Sequence, residues 1–214
     1  MNNSVILLIC AFCGYLAGSI PFGLVLTRLA GYGDIRKIGS GNIGATNVLR
    51  TGNKILALLT VLLDAFKAGI AAYVAYKVVP AQEIVFCGVE TTLNVLASLL
   101  AGSMGIIGHN FPIWLKFKGG KGVASAFGFL LVTHWQLAIL LLCVWLLMAI
   151  VFRYSSLAAL TAAAVVPAYS FFFLPPVYAL FYTAIAVLVI ARHHGNITRL
   201  LKNEESKITF KKKK

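Results

Sequence analysis

"SVILLICAFCGYLAGSIPFGLVLT", residues 4–27, contains no charged side chain. A helix needs about 20 apolar residues to cross the roughly 30 Å hydrocarbon core of a bilayer. Unpaired sheet edges and irregular backbone cannot face lipid. The stretch therefore predicts a transmembrane helix, and similar runs recur. Residues 55–76 carry only Asp64 and Lys67, while 91–108 and 155–191 carry no charge. The chain is 60% hydrophobic and 12% charged, where a soluble domain averages about 25% charged. The fold class predicted is an all-α integral membrane protein, a single polytopic domain over residues 1–214 with a basic tail at 201–214.

The net charge of +13 suggests an anionic partner, and the positions of the charges narrow it. Lys and Arg cluster at helix ends and in short loops, as the positive-inside rule requires. That pattern argues against nucleic acid and for the lipid bilayer and anionic substrates. The final "KKKK", residues 211–214, is either an anchor to an anionic leaflet or a solvated tail. Cys10, Cys13, Cys87 and Cys143 lie in or beside apolar runs and read as small hydrophobes. No basic residue precedes Arg28, so the first run lacks the charged start of a signal peptide.

Charge also orients the chain. A first helix over 4–30 has no preceding cation and is followed by Arg28, Arg36 and Lys37. This places the N-terminus outside and the 31–54 loop in the cytoplasm. A second helix, 55–78, returns to an outer loop holding Glu83 and Glu90 but no Lys or Arg. A third, 91–108, delivers "GHNFPIWLKFKGGKG", residues 108–122, to the cytoplasmic side. Residues 123–150 form one pass or two. Two passes around "THWQ" keep Arg153 and the tail inside, which makes about seven segments with a cytoplasmic C-terminus. The Pro175-Pro176 pair marks the last outer turn.

Three polar segments, 33–54, 108–125 and 192–205, then fall on one face of the membrane. "GSGNIGATNVLR", residues 39–50, is the most polar. Gly39, Gly41 and Gly44 permit left-handed backbone, and successive N–H groups in such turns form an anion nest. Ser40, Asn42, Thr46 and Asn47 add donors, and Arg50 supplies a planar fork for phosphate oxygens. In "FKGGKG", residues 117–122, Gly119, Gly120 and Gly122 surround Lys121, which also suits an anion. The spacing is not that of a Walker A loop, because Leu115 and Gly122 stand where Gly and Ser or Thr are required. In "RHHGNITRLLKNEE", residues 192–205, His193 and Asn196 share a helical face, and the histidine suits acid, base or donor roles. Asp64 and Lys67 form an i,i+3 pair inside the second helix, read as a bundle-locking ion pair. The six carboxylates do not cluster, so neither a metal nor another cofactor is expected.

Together "GSIPFG" (18–23), "GSGNIGATNVLR" (39–50), "LDAFKAG" (63–69), "GHNFPIWLKFKGGKGVAS" (108–125) and "RHHGNITRLLKNEE" (192–205) resemble the bacterial acyl-phosphate:glycerol-3-phosphate acyltransferase family, PlsY. The resemblance runs the length of the chain with the motifs in order. It implies a bacterial inner-membrane enzyme of phospholipid biosynthesis, with its active site on the cytoplasmic face. The implied reaction moves an acyl group from acyl phosphate to the 1-position of sn-glycerol 3-phosphate, giving lysophosphatidic acid and phosphate. By position, Ser40 and Arg50 are central to catalysis, with His193 and Asn196 as the third-motif polar pair. Gly39, Gly41, Asn42, Gly44, Asn47, Gly119, Gly120, Lys121, Gly122 and Ser156 are expected to contact substrate or phosphate. Glu205 is expected to be structural, like Asp64 and Lys67. Asn203 departs from the family's usual Gly, and Ala159 from a common second Ser. The acyltransferases that use a His-x4-Asp pair are a different case. Here Trp114, Ile139, Thr198 and Arg199 stand five residues after the four histidines.

The chemistry agrees with the residues. Acyl phosphate is an activated mixed anhydride, so no acyl-enzyme is needed. Two phosphate anions must be brought together, which asks for countercharge from Arg50 and Lys121. Ser40 is read as a hydrogen-bond donor, with Asn196 as a second. The proton of the attacking hydroxyl goes either to His193 or to the departing phosphate. An anion or lipid-phosphate transporter is the alternative class, but it would want ionisable groups along a path across the membrane. Only Asp64 and Lys67 lie within a span.

Overall fold

The computed structural model describes residues 2–208, so the terminal Lys211–Lys214 run lies outside the described residues. The chain groups into two compact units, Met1–Trp135 and Gln136–Lys214. The first contains helices α1 (Asn3–Gly18), α2 (Phe22–Leu29), α3 (Ala45–Val48) and α4 (Lys54–Val78). A hairpin of β1 (Glu83–Phe86) and β2 (Val89–Thr92) follows, then α5 (Leu93–Asn110) and α6 (Val123–Thr133). The second unit takes up α7 (Trp135–Phe152), α8 (Ser155–Phe173), α9 (Pro176–Arg192) and α10 (His194–Leu201).

Two expectations are refined. The helix over 4–30 is interrupted, α1 and α2 parting at Ser19–Pro21, while Asn3–Leu29 still counts as one candidate span. Proline lacks the N–H that the ladder needs, and its ring clashes with a carbonyl one turn back. The loop between the second and third expected helices is not all coil. Residues 83–92 pair antiparallel, Phe86 opposite Val89, around a Cys87-Gly88 turn with positive φ at both residues. That geometry matches the twist of a two-residue hairpin, so the architecture is helical with one small sheet. Five segments among the described residues are long and apolar enough to cross a membrane, or six with α9 and α10 as one bent span. Residues 123–152 do divide into α6 and α7, as the two-pass reading requires, with the break at His134. α6 has 11 residues, about 16 Å at 1.5 Å per residue, roughly half a hydrocarbon core.

In the first unit α5 is the central helix, lined on different sides by α1, α4 and α6. Glycines make this possible. A Cβ on Gly18 would overlap the Gly105 carbonyl of α5, and a Cβ on Gly14 would overlap that of Ala101. Between α4 and α6, a Cβ on Gly128 would overlap the carbonyl of Ala65. Lipid provides no hydrophobic drive between helices, so close backbone approach and its dispersion contacts hold the bundle. In the second unit α8 packs on α9, burying Val166, Ser170, Tyr182 and Val189 among others. Pro176 occupies the first turn of α9, where its missing N–H costs nothing.

The α1–α5 seam carries a direct expectation. Gly18→Leu should destabilise the fold by about 2–3 kcal/mol, because the side chain must displace backbone rather than a rotamer. Thermal unfolding of the purified protein in detergent measures this.

Candidate active site

The 33–53 segment of the first unit is a folded loop rather than a flexible linker. Asp34 caps the short 3-10 turn Ile35–Lys37, accepting from the Arg36 N–H at 3.0 Å. Its carboxylate also receives the Arg36 guanidinium at 2.9 and 2.6 Å and Arg28 at 3.2 Å. The hydrogen bonds from Arg36, helped by Arg28, hold the Asp34 carboxyl well below the usual carboxylate range. Two basic residues are thereby tied to one acid. Beneath them Leu24, Ile35, Ile43, Val48 and Ala57 form a buried cluster, joined by Leu115 from the segment after α5. The first and second polar segments therefore share one apolar floor.

Asn47 organises this loop. It is 1% exposed. Its Nδ2 lies 2.7, 2.9 and 3.2 Å from the carbonyls of Ile35, Asn42 and Ile38, and its Oδ1 accepts from the Ser40 N–H at 3.2 Å. Its amide, read in the sequence as a substrate contact, is engaged by the loop's own backbone. The same holds for the expected anion nest. The N–H groups of Ser40, Gly41 and Gly44 point to Asn47, to the Ile38 carbonyl and to the Asn42 side chain. Gly39 and Gly41 adopt left-handed φ values of 56° and 69°, whereas Gly44 has an ordinary φ of −81°.

What the loop does present is side chains. Gly39 is where glycine is indispensable: besides its φ, a Cβ there would overlap the Arg50 guanidinium. Arg50 thus lies against the bare backbone of Gly39, beside the exposed Ser40. The missing side chain at Gly39 leaves room for the guanidinium.

The second segment is pinned to the end of α5. After the 3-10 turn Ile113–Leu115, Lys116 and Phe117 adopt left-handed φ values of 52° and 62° and turn the chain back. The Gly119 N–H then donates to the Asn110 carbonyl at 3.1 Å, and Gly120 to His109 at 3.0 Å. Both amides thereby hold the loop to the end of α5. Lys121 follows immediately. Gly122, at φ 83°, caps α6 with no side-chain partner for its first N–H groups. Below the loop, Asp64 and Lys67 are each 3% exposed and 2.8 Å apart.

The third segment belongs to the second unit. His193 is buried where α9 meets α10, with Nδ1 2.7 Å from the Val189 carbonyl. A carbonyl only accepts, so Nδ1 carries a proton. Glu205 gathers its neighbours. Oε1 accepts from Ser156 Oγ at 2.7 Å and Asn196 Nδ2 at 2.6 Å, and Oε2 from Arg199 Nε at 2.6 Å. Burial works to raise the Glu205 carboxyl, but the Ser156, Asn196 and Arg199 hydrogen bonds outweigh it and lower it below its ordinary 4.5. Ser156, read in the sequence as a substrate contact, gives its hydroxyl proton to Glu205. Asn196 keeps one N–H beyond the one it gives Glu205.

Asn203 makes this clamp possible. It stands at φ 58°, just past α10. Its N–H donates to the Leu200 carbonyl at 3.1 Å, and the Glu204 N–H to Arg199 at 2.8 Å. This is the paired closure of a left-handed helix end, which turns Glu205 back onto α10. Asparagine tolerates that conformation almost as glycine does. Sequence reasoning missed His109 and Asn110, which were quoted only as part of a loop. No periodicity ties His109 to Asp64, 45 positions earlier in the chain.

These features define an integral membrane protein that presents a stacked arginine and a glycine-flanked lysine on rigid loops. The model of the family "Glycerol-3-phosphate acyltransferase" matches residues 8–203. A glycerol-3-phosphate acyltransferase of Rhodospirillum rubrum is 56% identical over 210 residues, 98% of this chain and 94% of that protein. One from Mesorhizobium japonicum is 52% identical over 198 residues, covering 92% and 94%. The crystal structure of PlsY (YgiH), an integral membrane glycerol 3-phosphate acyltransferase, in its glycerol 3-phosphate form superposes with a TM-score of 0.83. That protein is 35% identical, over 95% of this chain and 96% of that one. The chain belongs to the glycerol-3-phosphate acyltransferase family, PlsY, whose members serve phospholipid biosynthesis.

Two expectations follow from the clamp. Glu205 has a lowered folded pKa, so its stabilisation is fully present above about 4.5 and is lost as pH falls through the lower folded value. The melting-temperature gap between wild type and Glu205→Gln should be constant above pH 5 and shrink below about pH 4. At the helix end, Asn203→Gly should be tolerated. Asn203→Val should destabilise by about 1–2 kcal/mol, the left-handed penalty for a branched residue, measured by the same thermal unfolding.

Proposed function

We propose that this glycerol-3-phosphate acyltransferase uses acyl phosphate as donor and acylates the 1-position of sn-glycerol 3-phosphate. The glycerol hydroxyl oxygen attacks the acyl carbon, and the bond from that carbon to the phosphate oxygen breaks. Lysophosphatidic acid and inorganic phosphate leave, and the hydroxyl proton passes to His193 or to the departing phosphate. The observation that carries the reading is the Gly39–Arg50 stack beside exposed Ser40. It offers an oriented, permanently charged fork to a phosphate in a loop whose own backbone donors are engaged. Electrostatic stabilisation by such preoriented groups is the main means of catalysis when the donor is already activated. Ser40 donates to the phosphate or the developing oxyanion, and the remaining N–H of Asn196 suits the same task. Lys121 supplies the second countercharge, for glycerol 3-phosphate.

The proposed setting is a bacterial inner membrane, crossed by about seven segments. The half-length α6 counts as one of them, with the N-terminus outside, and the three polar segments and the C-terminus in the cytoplasm. The distribution of Lys and Arg supports this orientation.

Phosphate release tests the reaction. Purified protein should release phosphate from palmitoyl phosphate only when glycerol 3-phosphate is present, and palmitoyl-CoA should not replace the donor. Arg50→Ala should lower kcat/KM by about 10²–10³-fold, the range for removing one preoriented charge-stabilising group, with an unchanged melting temperature. A folded wild type that releases no phosphate would refute the proposed donor.

A further inference from the structure

We propose that His109 is a positioning residue for the Lys121 loop, seated from within the membrane by Asp64. The proposal rests on the reading above that Lys121 binds glycerol 3-phosphate. The imidazole is buried and touches both parties. Its Nδ1 lies 3.5 Å from Asp64 Oδ1. The ring edge bearing Nε2 occupies the space that a Cβ on Gly120 would need. The same residue holds the loop through its main chain, because the His109 carbonyl accepts the Gly120 N–H at 3.0 Å. Asp64 reaches the far side of the loop as well: its carbonyl accepts from Ser125 Oγ in the first turn of α6 at 2.8 Å. Lys121 therefore sits between two points fixed to one residue of α4.

Asp64 is itself immobile. Lys67 pairs with it at 2.8 Å and donates to the Ile20 carbonyl at 2.9 Å, at the break between α1 and α2. A buried ion pair in a membrane span is costly, and its retention usually marks a task beyond stability. Here the task is stiffness. A lysine on a mobile glycine loop must be ordered when the anion binds, whereas one seated on His109 is ordered beforehand. His109 touches no reacting atom, so its influence falls on binding of the acceptor rather than on the chemical step.

Steady-state kinetics and melting temperatures of wild type, His109→Ala, Asp64→Asn, Gly120→Ala and the His109→Ala/Gly120→Ala pair test this. Each single variant should raise the KM for glycerol 3-phosphate about tenfold, a coupling typical of touching residues. The kcat and the KM for acyl phosphate should stay within about twofold of wild type, beyond the reach of a residue that affects only acceptor binding. The decisive arm is the pair. Removing the ring makes room for the new alanine methyl, so the double variant should show a lower KM than Gly120→Ala alone. Independent, multiplying effects in the pair overturn the proposal. So do equal losses in kcat, or a His109→Ala or Asp64→Asn protein that does not fold, since these assign the residues to stability alone. If wild type transfers no acyl group, the functional reading fails instead. If it transfers normally and the variants keep the wild-type KM, only the role of His109 fails.

Discussion

A carboxylate and an ammonium buried together in a membrane helix are the constraint around which the first unit is built. Asp64 and Lys67 can be ionised there only because each neutralises the other at 2.8 Å. Their remaining valences then have to be satisfied, and the fold supplies the partners. Lys67 takes the Ile20 carbonyl, which is reachable because Pro21 interrupts the first helix, and its ammonium lies 5.8 Å from the centre of the Phe22 ring. The Asp64 carboxylate lies 3.5 Å from His109 Nδ1 of α5, and its backbone carbonyl accepts from Ser125 of α6. Four elements are thus registered on two residues one helical turn apart. The glycine seams bring the backbones close enough for such short polar side chains to reach.

The loops above this junction illustrate how a chain rich in glycine can still be rigid. Left-handed glycines let the 39–50 segment fold tightly, but the amides so exposed are turned inward to Asn47 and to neighbouring carbonyls. The same is true at Gly119 and Gly120. The proposed anion recognition is left to side chains whose orientation the glycines permit: Arg50 laid on Gly39, Lys121 carried between α5 and α6. A guanidinium lying on bare backbone loses little further freedom on meeting a phosphate. The arrangement therefore favours precise placement of charge over a large number of donors.

The second unit solves an ordering problem of its own. A carboxylate near a chain end would ordinarily be mobile and solvated. Here the left-handed turn at Asn203 returns Glu205 to three donors on two helices, leaving its side chain 8% exposed. Ser156 begins α8 and Asn196 lies in α10, so the carboxylate ties the two together. His193 is held in place by a carbonyl of the preceding turn.

Much of this was legible in the sequence, for identifiable reasons. Charge-free runs mark spans because hydrocarbon admits no unpaired charge. The bias of Lys and Arg sorts the loops, and the polar motifs carry their chemistry in residue type. The ion pair of Asp64 and Lys67 follows from a spacing of three on one helix. Long-range partners were not legible. That Asn47 would be consumed by its own loop, that Ser156 would serve Glu205, and that His109 would bridge Asp64 and Gly120 depend on which distant backbones meet. No local pattern encodes those meetings. The sequence by itself determined the membrane class, the family and the chemical nature of the polar segments. Only the tertiary structure decided which polar groups are satisfied by partners far away in the chain. A hydrogen-bonding group has the same formula in either case, and only its neighbours distinguish them.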